Sequence, residues 1–265
     1  MKFQLPPRAN LEHLKKQAKG LLRQARNGES LRKTGLTKAS KLSDAQFYLA
    51  KEYGFSSWSA MKNEIEGLRQ KHLKQAISDL RSGKMCILFD DEGRENEGDF
   101  VLAAEKVDQE KLNFLSTYGR GTICIAISPV RARRLGIEKA KKSLDSIDIP
   151  SFGNSIDLNS THTGVSAKEK AETILHLMSD EAKKVDFRSP GHVFTLIGES
   201  EGLTKRQGHT EGSLELMKKA GLSDGVVICE IMNTDGSMAR YDDLVQIAKI
   251  HGIELIKISD LIDNN

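Results

Sequence analysis

The densest chemistry in the sequence lies in residues 89–100, FDDEGRENEGDF. Positions 90–99 hold six acids (Asp90, Asp91, Glu92, Glu95, Glu97 and Asp99) and one base, Arg94. Carboxylates packed this closely repel one another and destabilise a fold unless something offsets their charge. Hard oxygen donors suit Mg²⁺ or Mn²⁺, and Mg²⁺ takes only one or two protein carboxylates besides water and substrate oxygens. The spacing is not that of an EF-hand loop. By composition alone the segment also reads as a solvated acidic loop. Two features favour a folded, ligand-binding loop: it directly follows the apolar run CILF, and Gly93 and Gly98 let the backbone turn tightly.

A second segment, KRQGHTEG at residues 205–212, precedes the helical pattern SLELMKKAG. Backbone N–H groups at a helix start, with Arg206 and Thr210 beside them, suit a phosphate. His209 suits a metal ligand or an acid–base group, although a lone loop histidine is commonly just solvated. In SPGHVF, Pro190 and Gly191 set a turn and His192 leads into a strand. Glu230 ends the apolar run VVICE. A carboxylate buried there needs a partner or a raised pKa, which is one route to a general acid or base. The alternative is a strand-end glutamate facing water.

Two units must position these groups. Residues 1–75 carry 16 Lys/Arg against 6 Asp/Glu, a balance of +10, and residues 76–265 carry 24 against 31, a balance of −7. The first unit reads as all-helical and basic. Leu11, Leu14, Ala18, Leu21 and Leu22 fall at helical spacing, residues 27–40 read as a loop, and Ser43 with Gln46 suggests a capping box. A third helix is expected from near Ser57. The second unit alternates apolar runs (MCILFD, GTICIAIS, HVFTLIG, GVVICEIMN, IELIKISDLI) with helical patterns at 107–117, 129–135, 167–182, 211–220 and 241–251. That alternation predicts an α/β domain. Ser166 with Glu169 marks one helix start, and Gly221 marks a helix end.

Cys86, Cys124 and Cys229 are odd in number and show no CxxC spacing, so neither a zinc site nor a disulfide framework is expected. Core packing in a reducing cytoplasm is the reading. No run of 18 apolar residues suggests a membrane span, and the N-terminus shows no secretory pattern.

Six stretches together, DDEGRENEGDF, GTICIAI, THTGVSA, SPGHVFTL, RQGHTEGSLELMKKAG and ICEIMNTDGSMAR, resemble the 3,4-dihydroxy-2-butanone 4-phosphate synthase family over roughly residues 77–262. The resemblance implies a mixed sheet of α+β type with surrounding helices and a catalytic domain at 76–265; residues 1–75 lie outside it and read as a basic helical module of unknown role. It implies a lyase of riboflavin biosynthesis, turning D-ribulose 5-phosphate into L-3,4-dihydroxy-2-butanone 4-phosphate and formate with Mg²⁺ (or Mn²⁺). By the same resemblance Glu95 and His209 bind the metal. Arg94, Glu95, Asp99, Arg206, Gln207, Gly208, His209, Thr210 and Glu230 contact the substrate, with its phosphate near Arg206 and Thr210. His192 and Glu230 are the essential catalytic positions, and Glu97 and Cys124 also match the active site. The family's homodimers form each site from both subunits.

The substrate's carbonyl is flanked by acidic C–H bonds. A metal on the carbonyl and an adjacent hydroxyl stabilises the charge left by proton removal, and a carboxylate base takes the proton. Water loss, skeletal rearrangement and expulsion of formate follow. The sequence departs from the family at Ser189 (usually Arg), Thr195 (usually Pro), Glu169-Lys170 and a shortened stretch before THTGVSA, changes that would slow the reaction or shift its substrate. Two other readings remain: a degenerate paralogue that binds a sugar phosphate in a regulatory role, and a nucleic-acid-binding role for the basic module, which shows no nucleic-acid motif.

Overall fold

The structure is a computed structural model and describes residues 11–27, 35–140 and 150–262, together with Leu5 and Ala9. The chain divides into two compact units, Met1–Lys71 and His72–Asn265.

In the first unit, α1 (Leu11–Arg26) and α2 (Leu42–Glu52) pack with the opening turns of α3 (Trp58–Arg81). The helical spacing read from the sequence places Leu11, Leu14, Ala18 and Leu22 in one cluster with Ala45, Leu49, Met61 and Ile65. Lysines and arginines between those positions stay on the wet face. The helix starts separate two kinds of cap. Ser57 Oγ accepts from Ala60 N at 3.1 Å, so α3 begins where the sequence expects it. The expected pair of Ser43 with Gln46 does not form the cap of α2. Instead Lys41 N–H donates to the Asp44 carboxylate at 2.7 Å, because an ionised acceptor outcompetes a neutral amide. Part of the expected loop, residues 28–34, lies outside the described residues.

The second unit is a seven-stranded mixed sheet: β1 (Met85–Phe89), β2 (Gly98–Ala103), β3 (Arg120–Ile127), β4 (Ile156–Leu158), β5 (Phe187–Ile197), β6 (Gly225–Ile231) and β7 (Glu254–Lys257). Their spatial order is β4-β5-β3-β6-β2-β1-β7. The β1–β7 and β3–β5 pairs are parallel, and the β1–β2, β2–β6, β3–β6 and β4–β5 pairs antiparallel. Helices α4 (Gln109–Phe114), α5 (Pro129–Leu135), α6 (Ala167–Met178), α7 (His209–Ala220) and α8 (Tyr241–His251) complete the unit.

The sheet is covered on both faces, which is why its strands read as continuous apolar runs rather than alternating ones. Alternate residues go to opposite sides. Ile87, Phe100, Leu102, Ile125 and Cys229 join Leu112 of α4, Ile174 and Leu177 of α6 and Leu244 of α8. Cys86, Leu88, Val101, Cys124 and Ile228 join Leu216 and Met217 of α7 and Leu73, Ala76 and Leu80 of α3. All three cysteines are buried and unbridged. Two helix boundaries follow the sequence closely. Ser166 Oγ accepts from Glu169 N ahead of α6, and Gly221 closes α7 in the left-handed conformation at φ 64°. No helix among the described residues is long and apolar enough to cross a membrane.

Candidate active site

The acidic loop is folded around one of its own carboxylates. Asp90, with a side chain 2% exposed, directly follows β1, and its N–H bonds back to Glu97 O at 3.2 Å. One carboxylate oxygen accepts from Glu97 N at 2.9 Å. The other accepts from Glu95 N at 3.1 Å and from Arg94 Nη1 at 2.7 Å. The turn requires a left-handed residue, and Asn96 supplies it at φ 54°. Arginines and a lysine offset Glu95, Glu97 and Asp91. Arg94 Nη1 also donates to Glu95 Oε2 at 2.6 Å. Arg240 Nη1 donates to Glu95 O (2.7 Å) and Asn96 O (2.9 Å) and sits 3.6 Å from Glu97, and Lys257 pairs with Asp91.

His209, the first residue of α7, reaches this loop from Gly208, which precedes the helix. Its Nδ1 lies 3.4 Å from Glu95 Oε2. Asp90, Glu95 and His209 each offer one ligand atom, and these atoms lie within 4.8 Å of one another. Two further observations fit a divalent cation here. His209 is buried, yet its Nε2 has no hydrogen-bond partner among the described residues. Burial by itself would lower the imidazole pKa, but Asp99, Glu95 and Asp90 raise it to about 9. A pocket that holds a proton so tightly on a buried imidazole attracts positive charge. The donor set of two carboxylates and one imidazole suits a hard or borderline ion.

Behind the loop, Asp99 on β2 pairs in register with Glu230 on β6. Burial, aided by Glu230, Glu95 and Glu97, pushes the Asp99 carboxyl up to about 7. Burial and Glu95 also raise Glu97, against the pull of Arg240. The interaction with His209 and the neighbouring Arg94 hold Glu95 down at about 2, against its partial burial. Glu230 is half-buried, and its Oε2 accepts from Thr122 N at 2.7 Å. This contact exists because residue 121 is glycine: a Cβ there would stand 2.5 Å from Glu230 O and 2.7 Å from Glu230 Oε2. Cys124 is buried on β3. Burial, with Glu230 and Asp99 adding to it, raises its thiol far above the usual range, so it stands as a thiol.

The structure thus brings Arg94, Glu95, Glu97, Asp99, Cys124, His209 and Glu230 into one neighbourhood. Gly208 and Thr210 are buried at the start of α7, and Gln207 is exposed. Arg206 is also buried and donates from Nη1 to Glu211 Oε2 at 2.7 Å, an internal ion pair that the sequence did not reveal. His192 is held by a partner of its own. It lies on β5, the strand beside β3, two residues before Phe194, the register partner of Cys124. Its partner is Asp157, not a member of the cluster.

Asp90, Asp157 and Arg240 were missing from the sequence reading of the site. Asp90 was visible only as one of six acids. What distinguishes it is the set of loop N–H groups it accepts from, and that is a property of the folded loop.

The shifts have a sign that can be checked on metal-free protein. Folded His209 and Asp99 hold protons that the unfolded chain releases near 6.5 and 4. Stability is therefore greatest below those values. It falls as pH rises toward about 7 for Asp99 and about 9 for His209. Glu95 acts oppositely, losing its contribution only as pH falls from about 4.5 toward about 2. In chelator, the melting temperature should drop between pH 6.5 and 9 by calorimetry, and His209→Gln should flatten the upper part of that drop. A flat wild-type profile would contradict the electrostatics described here.

Comparison with known proteins follows the same outline. The sequence model of a family described as 3,4-dihydroxy-2-butanone 4-phosphate synthase matches residues 74–264. "Riboflavin biosynthesis protein RibBA" of Bacillus cereus (strain B4264) is 45% identical over 190 residues, 72% of this chain and 48% of that protein. Its namesake from Aquifex aeolicus (strain VF5) is 45% identical over 203 residues, 76% of this chain and 50% of the relative. The chain spans about half the length of these curated relatives. Among solved structures, RibBX of A. baumannii, described as a two-domain 3,4-dihydroxy-2-butanone 4-phosphate synthase, superposes with TM-score 0.69 at 39% identity, covering 71% of this chain and 56% of that one. A 3,4-dihydroxy-2-butanone 4-phosphate synthase in complex with two magnesium ions superposes with TM-score 0.67 at 32% identity, covering 72% and 94%.

Proposed function

The chain belongs to the 3,4-dihydroxy-2-butanone 4-phosphate synthase family, and from that premise we propose that it converts D-ribulose 5-phosphate into L-3,4-dihydroxy-2-butanone 4-phosphate and formate, a divalent-cation-dependent step of riboflavin biosynthesis. We assign the reaction to residues 76–265 and treat residues 1–75 as a separate basic helical module. The observation that carries the reading is the cluster of Asp90, Glu95 and His209 with its orphaned imidazole nitrogen.

Glu95 and His209 would hold Mg²⁺ or Mn²⁺, with Asp90 as a third donor. When bound, the cation supplies Lewis-acid polarisation of the substrate's carbonyl and hydroxyl oxygens. The protein's groups do the rest. The N-terminus of α7, with Thr210 and with Arg206 held against Glu211 beside it, receives the phosphate. Arg94 and Asp99 orient the sugar oxygens. Asp99, poised near 7, and Glu230, anchored on Thr122 N–H, exchange protons with substrate carbon and oxygen. Cys124 lines this wall as an uncharged thiol and Glu97 lies beside the metal ligands. The reading includes a homodimer whose sites draw on both subunits, as the family resemblance implies. Three buried, unbridged cysteines support a reducing cytoplasm as the location.

The test is direct. Protein incubated with ribulose 5-phosphate and Mg²⁺ should release formate in equal amount to the four-carbon phosphate, measured by coupled formate dehydrogenase and by carbon NMR. Substrate binding without formate would overturn the proposal and point to a regulatory sugar-phosphate binder.

A further inference from the structure

Asp157 lies on β4, its side chain 1% exposed, with no part in the roles assigned above. A buried carboxylate destabilises a fold unless donors surround it. Two of its donors come from one residue. His192 N–H gives to Oδ1 at 2.8 Å, and His192 Nδ1 lies 2.8 Å from Oδ2. Backbone and ring of the same histidine are thus held by the two oxygens of one carboxylate, which fixes both the ring's position and its rotation. The seat is closely built. Gly164, at φ 79°, packs so tightly on the Asp157 carboxyl that a Cβ there would collide with it. Arg188 donates to the carbonyls of Leu158, Thr161 and His162 and reaches Asp157 at 3.5 Å, tying down the segment beyond β4. The far side of the ring is open, since the His192 side chain is 48% exposed.

We propose that Asp157 is a positioning residue that fixes His192 as the Nδ1–H tautomer and leaves Nε2 as a proton acceptor facing the substrate. The inference rests on the reading of His192 as an essential group of the reaction. The chemistry follows from donor and acceptor inventory. An ionised carboxylate only accepts, so the nitrogen facing it must carry hydrogen, and the neutral ring keeps its lone pair on the other nitrogen. When Nε2 takes a proton, the imidazolium charge is offset by a fixed anion already in contact, with no rearrangement of the pocket. The proton leaves again from Nε2, and Asp157 acts only as an acceptor.

Asp157→Asn isolates this role. The amide keeps the size of the carboxyl group and can still accept His192 N–H through its oxygen. Its NH₂ then faces Nδ1 and forces hydrogen onto Nε2, inverting the tautomer. In ¹⁵N-histidine-labelled protein, with His192 assigned by loss of its signals in His192→Asn, the wild type should show the protonated nitrogen at δ1 and Asp157→Asn at ε2. kcat for formate release should fall by at least about 100-fold with KM within about threefold. Asp157→Asn should add less than about threefold to the loss in His192→Asn. A wild-type ring protonated at ε2, or losses that multiply in the double variant, would overturn the proposal. If Asp157→Asn does not fold, the wild-type spectrum still decides. If the wild type makes no formate, the functional reading fails while the tautomer measurement stands by itself.

Discussion

In excess EDTA the protein should release no formate from ribulose 5-phosphate, and Mg²⁺ or Mn²⁺ should restore the rate. The expectation comes from what the cluster does without a cation. Asp90, Glu95 and His209 converge within 4.8 Å, and His209 is then protonated up to about pH 9. A protonated imidazole occupies the site with charge but offers no lone pair and polarises no substrate oxygen. Restoring a divalent ion displaces that proton, so metal binding should release protons at neutral pH and strengthen as pH rises. The same addition should raise the melting temperature, since an ion at 100 times its Kd contributes about 2.7 kcal/mol to the folded state. Glu95→Gln and His209→Asn should each abolish the metal-dependent rise in melting temperature together with the activity. Undiminished turnover in EDTA, with metal content verified by mass spectrometry, would remove the cation from the reaction.

Glu230→Gln should reduce kcat by about 10³-fold, within the range for loss of a positioned acid–base group, while leaving the melting temperature within a few degrees. Glu230 takes one backbone N–H, from Thr122, and an amide oxygen can accept that bond equally well. The substitution therefore keeps the local geometry and removes the ability to carry a proton. It also removes one of the charges that raise Asp99, so the Asp99 carboxyl should move back down. Infrared difference spectra of the protonated carboxyl band near neutral pH would show this independently of turnover. A variant that retains more than a tenth of wild-type kcat would exclude Glu230 as a proton carrier.

Much of this architecture can be read from the chain because burial and periodicity are local. β1, β3 and β6 are short apolar runs with turn residues around them. α5 and α8 begin and end where the spacing indicates; α6 begins after Ser166 as expected and stops at Met178, short of the 182 read from the pattern. β2 was not legible. Gly98–Ala103 starts inside the acidic run, and Asp99 sits within the strand because its register partner Glu230 and the loop behind it form a polar site. β4 has only three residues, too few for a period of two to show. The helix read from 211 begins at His209, because Gly208 takes the extended conformation that precedes a helix start.

The site divides the same way. The family resemblance points to Glu95 and His209, residues far apart in sequence that the sheet brings to 3.4 Å. Motifs cannot say which of six acids is turned inward, and Asp90 emerges only from its hydrogen bonds. Nor do they show that Arg206 is already engaged by Glu211, or that His192 is held by a carboxylate 35 positions earlier. Those pairings are consequences of topology.

Asp90 gives the acidic loop a property beyond geometry. The carboxylate that accepts the amides of Glu95 and Glu97 is also a corner of the cation cluster, so loop order and ion affinity form one thermodynamic linkage. Whatever stiffens residues 91–96 tightens the grip on the ion, and the ion stiffens that segment by the same factor. Reciprocity of this kind makes amide exchange in the loop a direct readout of metal loading.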